Sequence, residues 1–380
     1  MTQLRLSRIA VVVAAVLAAG YFPASAEDPA KSKVLAPALQ PFVEKNELAG
    51  AVMLVANKDK VLALEAVGFA DIANKTPMAT DSVFWIASQS KPITATALML
   101  LVDEGKVKIE DPVEKYIPEF KDIKLKGESP KSPITIRQIM SHTSGLPFAT
   151  PEESPTLDKL TIKDSVASYV KNGLKTEPGT AYAYSNAGIN TGGRIIEVVS
   201  GMSYEDFLDK RLFGPLGMKD TTFWPSEEQV KRLAQVYKPG ADKKGLELTK
   251  IAQLQYPLTD RKRQPMPGGG LFSTATDVAK FCQMLLNNGK VGEKQLLSEA
   301  SVKALTSKQT PDSVKDNYGL GFSVGGTFGH GGALATNMTV DPKRGLVTVW
   351  LVQHAGFPGE GGKAQGVFRK LAEEKFSEAK

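Results

Sequence analysis

The sequence predicts an α+β fold in which both ends of the chain contribute to one antiparallel sheet beside a mostly helical part. Two strand-like segments lie early, within residues 51–71, and three lie late, within residues 318–353. Between about 90 and 310 the chain instead shows helical periodicity and long loops that contain proline. No repeat or low-complexity linker divides the chain, so we expect one domain with a five-stranded sheet.

The early elements are a helix and a hairpin. Residues 35–48 place apolar side chains at helical spacing. Residues 51–71 predict two strands around the turn Asn57-Lys58-Asp59, because asparagine and aspartate favour turns.

The middle and the end of the chain complete the expected fold. The helices predicted for the middle cover 91–104, 135–141, 163–172, 187–199, 203–211 and 274–288. Three late strands, punctuated by glycine or Asp-Pro, are predicted within 318–326, 331–341 and 345–353. The amphipathic segment 367–380 predicts a terminal helix, and the helix at each end would cover the sheet. This assigns a sheet part to about 27–85 and 290–380, and a helical part to about 86–289.

The first 26 residues have the three-part pattern of a secretory signal peptide. A basic start precedes the apolar run 9–20, and Ala24-Ser25-Ala26 provides a small-residue cleavage site. The apolar run is well short of the roughly 18–20 residues that span a bilayer. We therefore expect export to the periplasm or medium, a mature domain at 27–380, and no stable membrane anchor after cleavage.

Composition argues against several other classes of protein. The net charge of +6 is mild for this length, and no basic cluster is interleaved with aromatic residues, which argues against nucleic-acid binding. Cys282 is the single cysteine, so no internal disulfide can form. The three histidines, His142, His330 and His354, are far apart and lack the spacing of a metal site. The sequence therefore predicts neither a metal nor a cofactor.

The stretch FWIASQSKPITATALMLL, residues 84–101, places Ser88 and Lys91 one turn apart at the start of an apolar helix. A serine hydroxyl is a weak nucleophile that needs a base beside it, and residues i and i+3 share a helix face. Burial lowers the pKa of a lysine and allows it to accept a proton. The alternative is an ordinary surface pair at a helix start.

The Ser-x-x-Lys pattern alone has low specificity, because it also occurs at Ser168/Lys171 and Ser377/Lys380. We interpret those two pairs as solvated faces of charged helices. Ser88 differs from them because apolar residues lie on both sides of it.

Two further motifs follow in chain order. Tyr184-Ser185-Asn186 offers a phenol for proton relay and an amide for substrate binding. The glycine-rich segment His330-Gly331-Gly332 would let a substrate lie close to backbone N–H groups. Alone, the first motif could be an ordinary turn and the second a hairpin end. The three motifs in this order favour a catalytic constellation.

With these motifs, the sequence resembles the serine β-lactamase and penicillin-binding superfamily in its class C branch. That branch includes class C β-lactamases, D-Ala-D-Ala carboxypeptidases, D-aminopeptidases and family VIII carboxylesterases. The resemblance covers nearly the whole mature chain and includes the stretches at 134–147 and 267–281. It implies a β-lactamase/transpeptidase-like fold. The glycines 268–270 could shape the rim of the cleft or form a loop that leads to the helix at Thr274, and we favour the loop, with rim contact as a secondary effect.

The resemblance also implies roles for the motif residues. Ser88 would be the acylated nucleophile, and Lys91 and Tyr184 would share general-base and general-acid work, with the acceptor of the serine proton left open. Asn186 would contact the acyl side of the substrate. The backbone N–H groups of Ser88 and Ala333 would form the oxyanion hole.

The remaining motif residues would bind substrate, and here the sequence departs from many relatives. His330 stands where they have lysine, and Gly331 lacks the hydroxyl that helps them bind a substrate carboxylate. Gly332 matches the family glycine. His142, in SHTSGLP, is interpreted as a hydrogen-bonding loop residue.

These observations predict an exported serine hydrolase that forms a Ser88 acyl-enzyme with small esters or amides, in the manner of a carboxylesterase. The alternatives are a D-Ala-D-Ala carboxypeptidase acting on peptidoglycan-derived substrates, or a β-lactamase. A further alternative is a non-catalytic protein that retains the fold. The oligomeric state is left open.

Overall fold

The structure is a computed structural model that describes residues 33–377. The signal peptide expected at 1–26 lies outside the described residues, as does the end of the predicted terminal helix at 378–380. Within 33–377, no helix has the length and apolar character required to cross a bilayer.

The helices predicted for the middle of the chain are present, with ends shifted by a few residues. In chain order the helices are α1 Leu35–Glu44, α2 Ser90–Asp103, α3 Ile136–Met140, α4 Ile162–Asn172, α5 Asn186–Ser200, α6 Tyr204–Leu208, α7 Gly214–Leu216, α8 Glu227–Lys231, α9 Ala275–Leu286, α10 Glu299–Thr306 and α11 Ala364–Phe376. A π-helical turn, Asp209–Phe213, joins α6 to α7. Helix α10 was not predicted, although the Ser298 hydroxyl caps it by accepting from the Ser301 N–H.

Strands from both ends of the chain form one antiparallel sheet, as predicted. In chain order the strands are β1 Gly50–Ala56, β2 Val61–Asp71, β3 Thr76–Pro77, β4 Phe84–Trp85, β5 Val236–Pro239, β6 Leu246–Thr249, β7 Phe272–Ser273, β8 Lys290–Val291, β9 Lys294–Gln295, β10 Ser323–Val324, β11 Phe328–Gly331, β12 Asn337–Asp341 and β13 Leu346–Leu351. The main sheet has the order β10-β11-β12-β13-β1-β2-β3. The α+β class is confirmed, but the sheet has seven strands rather than five, because β3 and β11 were not predicted as separate strands. Only Ser323–Val324 of the strand predicted within 318–326 is formed.

The segment 331–341 does not form the single strand that was predicted. Strand β11 ends at Gly331 and β12 begins at Asn337. Between them the Gly332 N–H donates to the Thr336 carbonyl at 2.8 Å, and the Ala335 N–H donates to the Gly332 carbonyl at 3.0 Å. These two bonds close a tight turn that interrupts the extended backbone.

Both faces of the sheet are covered. Every residue of β1 is buried, and its side chains alternate between two cores, as the pleat requires. Met53 and Val55 pack with α1 and α11 on one face, whereas Val52 and Leu54 join the large core of the helical part. The two terminal helices therefore cover one face, and α9 lies against the other.

Helix α2 runs through the large core and carries the first motif. Its residues from Ser90 to Leu101 are all buried, so the segment shows no polar face. Pro92 lies in the first turn, where the backbone N–H has no intrahelical partner, and therefore does not interrupt the helix. The helix packs against α5, which begins at Asn186 of the second motif.

Candidate active site

Ser88 lies in a 3₁₀ turn, Ala87–Gln89, directly before α2. Hydrogen bonds fix the backbone on both sides of it. The Ile86 N–H donates to the Leu271 carbonyl at 3.0 Å, and the Ser90 hydroxyl donates to the Ala87 carbonyl at 2.7 Å. Ala87 has a φ of +47°, an unfavourable conformation for a residue with a Cβ. The turn holds the Ser88 side chain partly exposed at the end of a buried helix.

Lys91 is completely buried, and its amine has three oxygen partners. Its Nζ lies 3.1 Å from Ser88 Oγ, 2.7 Å from Asn186 Oδ1 and 2.6 Å from the Gly268 carbonyl oxygen. Burial holds the pKa of Lys91 well below its usual value. The two carbonyl oxygens can only accept, so each takes an N–H of the Lys91 amine. In its neutral form, which burial favours, the amine keeps a lone pair that can accept the Ser88 hydroxyl proton.

Tyr184 lies beside Ser88 and Lys91, and these three predicted catalytic residues are called the trio below. The Lys91 Nζ lies 4.6 Å from the centroid of its ring. Burial raises the pKa of the Tyr184 phenol, and the neighbouring Ser88 hydroxyl only partly opposes that rise. The phenol is therefore protonated at neutral pH and is placed as a proton donor.

Asn186 supports Lys91 through its side-chain carbonyl, a contact that the sequence did not predict. Its Nδ2 donates to no acceptor among residues 33–377, which leaves that group available to a ligand. The side chain is fixed because Asn186 opens α5, where the Ser185 hydroxyl caps the helix by accepting from the Gly188 N–H at 3.0 Å.

His330 lies near the trio but is uncharged. Burial, with a smaller effect of Lys91, lowers the pKa of His330 to about 3. Its Nδ1 lies 2.6 Å from the Gly331 carbonyl oxygen, which can only accept, so Nδ1 carries the proton. Its Nε2 therefore accepts from the Tyr318 hydroxyl at 2.9 Å. The histidine does not replace the positive charge that many relatives have at this position.

Gly332 allows β11 to approach the segment that carries Ser88. A Cβ at this residue would lie 2.1 Å from Thr336 Oγ1 and 2.6 Å from the Ile86 carbonyl oxygen. The backbone N–H groups of Ser88 and Ala333 donate to no acceptor among residues 33–377. Their joint action as an oxyanion hole stays a prediction, since a bound oxyanion would define its geometry.

Gly268 is a site residue that the sequence interpretation missed. Its carbonyl accepts from Lys91 at 2.6 Å, and its N–H donates to Asn190 Oδ1 at 2.9 Å. A Cβ at Gly268 would lie 2.9 Å from Asn186 Oδ1. The loop interpretation was favoured for Gly268–Gly270, with rim contact secondary; the run is buried, and it lies against Asn186 and Ala87 of the candidate motifs. Three consecutive glycines before a helix were the available indication of close backbone packing.

His142 holds both neighbours of Tyr184 in place. Its Nδ1 accepts from the Ser185 N–H at 3.2 Å, and its backbone carbonyl accepts from the Ala183 N–H at 2.8 Å. The centroids of the His142 and Tyr184 rings lie 4.6 Å apart. Burial, with Lys91 and His330 nearby, keeps the pKa of His142 well below its usual value, so Nδ1 remains an acceptor. The interpretation of His142 as a hydrogen-bonding loop residue agrees with these contacts.

Replacing His142 tests this contact. We expect His142→Leu to lower kcat about tenfold, because the buried Ser185 N–H loses its acceptor and Tyr184 is less well held. His142→Asn should recover much of the loss, since its side-chain oxygen can take the place of Nδ1. Ester hydrolysis would be measured beside thermal unfolding, and equal kcat values for the two variants would contradict the prediction.

The second Ser-x-x-Lys pair lacks this arrangement. Ser168 is buried, so its interpretation as part of a solvated face is wrong. Its hydroxyl donates to the Ser165 carbonyl at 2.6 Å and lies 2.8 Å from Thr150 Oγ1. Lys171 is exposed and pairs with Glu152 instead. The third pair, Ser377/Lys380, extends beyond the described residues.

Comparison with known proteins places this geometry in a family. The Beta-lactamase family matches residues 35–370. The chain belongs to the Beta-lactamase family. The predicted superfamily, the α+β β-lactamase/transpeptidase-like fold and the class of enzyme, a serine hydrolase, are thereby confirmed.

Individual relatives span most of the chain. Protein Rv1367c of Mycobacterium tuberculosis is 29% identical over 355 residues, covering 81% of this chain and 86% of that protein. A putative D-alanyl-D-alanine carboxypeptidase of Salmonella agona is 27% identical over 339 residues, covering 79% and 77%. The solved structure of EstCE1, a hydrolase with promiscuous acyltransferase activity, has a TM-score of 0.77 at 24% identity, covering 89% and 97%. At that identity the structural likeness shows the fold alone.

The described residues offer little for a metal ion. Within 33–377, no group of three or more His, Cys, Asp or Glu side chains could hold one. Cys282 is buried in the large core, where burial raises the pKa of its thiol, so it packs as an apolar residue.

Proposed function

We propose that this member of the family is a carboxylesterase-like hydrolase that forms an acyl-enzyme at Ser88. One observation carries the proposal. The buried Lys91 amine lies 3.1 Å from Ser88 Oγ, and two carbonyl oxygens orient it. None of its three hydrogen-bonding partners is a carboxylate, so burial is not offset by a paired negative charge and the amine can act as a base.

The pKa shifts assign different roles to the two titratable groups. The lowered pKa of Lys91 makes it the acceptor of the serine proton, whereas the raised pKa of Tyr184 keeps the phenol protonated as a donor. Neighbouring groups whose pKa values are pushed apart are typical of acid and base partners. In this proposal Lys91 is therefore the base, and these shifts support that choice between the two residues.

The reaction then follows in two stages. Ser88 Oγ attacks the ester carbonyl carbon, and its proton moves to the lone pair of Lys91. The N–H groups of Ser88 and Ala333 would bind the resulting oxyanion. The ester C–O bond breaks as the leaving alkoxide takes a proton from Tyr184, and the Lys91 ammonium returns a proton to Tyr184. Water then gives a proton to neutral Lys91 and attacks the acyl carbonyl carbon. The C–O bond to Ser88 breaks, and Ser88 Oγ takes a proton back from Tyr184 or Lys91 as the acid leaves.

The environment at β11 favours neutral esters over substrates with a carboxylate. His330 is uncharged, and Gly331 has no hydroxyl. Penicillins and D-Ala-D-Ala peptides both carry a carboxylate that such a strand binds less well than a lysine and a hydroxyl would. An ester of a simple alcohol has no carboxylate to be bound.

A second candidate is a D-Ala-D-Ala carboxypeptidase. Two observations favour it. The chain is similar to the putative D-alanyl-D-alanine carboxypeptidase of Salmonella agona, and the export pattern of residues 1–26 would place the protein beside peptidoglycan. A β-lactamase ranks behind it, because the uncharged strand at His330 and Gly331 would bind the carboxylate of a penicillin less well than a lysine and a hydroxyl would. A non-catalytic role fits poorly with an intact contact between Ser88 and Lys91.

The test exposes the purified exported protein briefly to a penicillin, measures intact mass and remaining drug, and follows p-nitrophenyl acetate hydrolysis in parallel. We expect ester turnover, intact drug and no adduct. The measured mass should be that of a chain that begins at Glu27. A persistent adduct on the Ser88 peptide would instead support the carboxypeptidase. Drug consumed without an adduct would indicate a β-lactamase. Failure of a serine-directed phosphonate to label the folded protein would support a non-catalytic role.

A further inference from the structure

An exposed aromatic ring lies beside the candidate catalytic residues and has no role in the mechanism above. Phe148 is 51% exposed, which is unusual for a large apolar side chain in this structure. It follows Pro147 at the end of the stretch that contains His142. Single exposed apolar residues are common on protein surfaces, so exposure alone assigns nothing. Phe148 differs from such residues in the hydrogen bonds of its backbone and in the aromatic ring that it contacts.

The backbone of Phe148 is attached to the second motif. The Asn186 N–H donates to the Phe148 carbonyl at 3.1 Å, and the Ser185 hydroxyl donates to the Pro147 carbonyl at 2.7 Å. The residues that hold Tyr184 and open α5 therefore also hold Phe148. The ring has a defined position relative to the site rather than belonging to an independent loop.

The side chain of Phe148 extends an uncharged surface from the site. Its ring stacks on that of Tyr184, with centroids 6.2 Å apart and planes inclined by 24°. Tyr184 in turn lies 4.6 Å from the Lys91 amine, so one aromatic ring separates Phe148 from that amine. The histidines that flank Tyr184, His142 and His330, are both neutral by the lowering of their pKa values.

We propose that Phe148 forms an apolar subsite for the acyl chain, so that the enzyme prefers esters of uncharged aliphatic acids longer than acetic acid. The inference rests on the proposed esterase function and adds the substrate class to it. The acyl side is chosen because the Phe148 carbonyl accepts from the N–H of Asn186. The Asn186 Nδ2 has no acceptor within residues 33–377, and the family resemblance implies that this side chain contacts the acyl part of the substrate. Each methylene added to the acyl chain should raise kcat/KM about threefold, because the half-exposed Phe148 ring can bury only part of it.

The test compares kcat/KM for p-nitrophenyl acetate, butyrate and hexanoate. Wild-type protein should prefer hexanoate over acetate by tenfold or more, and Phe148→Ala should reduce that ratio about tenfold. Phe148→Leu should retain most of the preference, since it keeps an apolar side chain. Leu248→Ala is the matched control, because Leu248 is 60% exposed on the separate β5–β6 hairpin and should leave the ratio unchanged.

The outcomes separate this inference from the function on which it rests. Hydrolysis with an unchanged chain-length ratio in Phe148→Ala would overturn the subsite and leave the esterase standing. An equal loss on all three esters would show that Phe148 only supports the loop, which also overturns it. Acetates of longer alcohols test the other side of the ester. If Phe148→Ala instead reduced a preference for longer alcohols, the ring would contact the alcohol part and the acyl subsite would be overturned. If wild-type protein hydrolysed no ester, both proposals would fall.

Discussion

Ser88→Ala should lower kcat/KM for p-nitrophenyl acetate by at least about 10⁴-fold, because the attacking oxygen is removed. The nearby Ser90 cannot take its place, since its hydroxyl is buried, donates to the Ala87 carbonyl and accepts from the Leu271 N–H. The fold should persist, because Lys91 keeps its two carbonyl partners. The assay would follow nitrophenol release, together with labelling by a serine-directed phosphonate.

Ser168→Ala is the matched control for this experiment. It removes the serine of the other described Ser-x-x-Lys pair, whose hydroxyl is engaged by Ser165 and Thr150. Its turnover should match that of wild-type protein. Wild-type turnover in Ser88→Ala would rule out the acyl-enzyme, whatever the control showed.

Lys91→Met should have the second-largest effect on activity, a loss of about 10³-fold or more, and it should also change how stability depends on pH. Methionine fills a similar volume but cannot accept the serine proton. In the wild type, the folded pKa of Lys91 lies well below the unfolded value because of burial. Between those two pKa values the unfolded chain binds a proton that the folded chain does not, so wild-type stability rises with pH.

The measurement is urea unfolding of both proteins across pH 6 to 9. The stability of the wild type relative to Lys91→Met should increase with pH, with a slope of at most about 1.4 kcal/mol per pH unit for one proton. Below the folded pKa of Lys91 the difference should level off. Lys171→Met is the control, because Lys171 is exposed and should show neither the activity loss nor the slope. A difference that stays constant from pH 6 to 9 would mean that Lys91 is charged in the folded protein over that range, and would contradict the prediction.

The sequence predicted the parts of the fold that have a local pattern. The long apolar segments at β1 and β13 were assigned as strands from composition, and the apolar residues of α2 were assigned as a helix. Strand β3 has two residues, too few for any periodicity to appear, and only two residues of the strand predicted within 318–326 form β10. The pairing of Val52 with Leu351 joins residues far apart in sequence, and the local pattern of each strand contains no information about that partner.

The candidate site shows the same division. Ser88, Lys91, Tyr184 and Asn186 could be named because their side chains carry recognisable chemistry. Gly268 could not, since it contributes a backbone carbonyl, and any residue has one. The neutral state of His330 depends on burial and, to a smaller extent, on the Lys91 amine that the fold brings near it, so the sequence indicated only that lysine was absent.

The pairing of β1 with β13 has a consequence for the order in which the protein can be completed. A chain growing from its N-terminus contains Ser88, Lys91 and Tyr184 long before residues 347–351, which complete the centre of the sheet, and before residue 330 of the third motif. Until then, one edge of an entirely apolar strand has no neighbour, a condition that promotes association between chains. Nascent chains would therefore be inactive and prone to association until residues 330–351 are available.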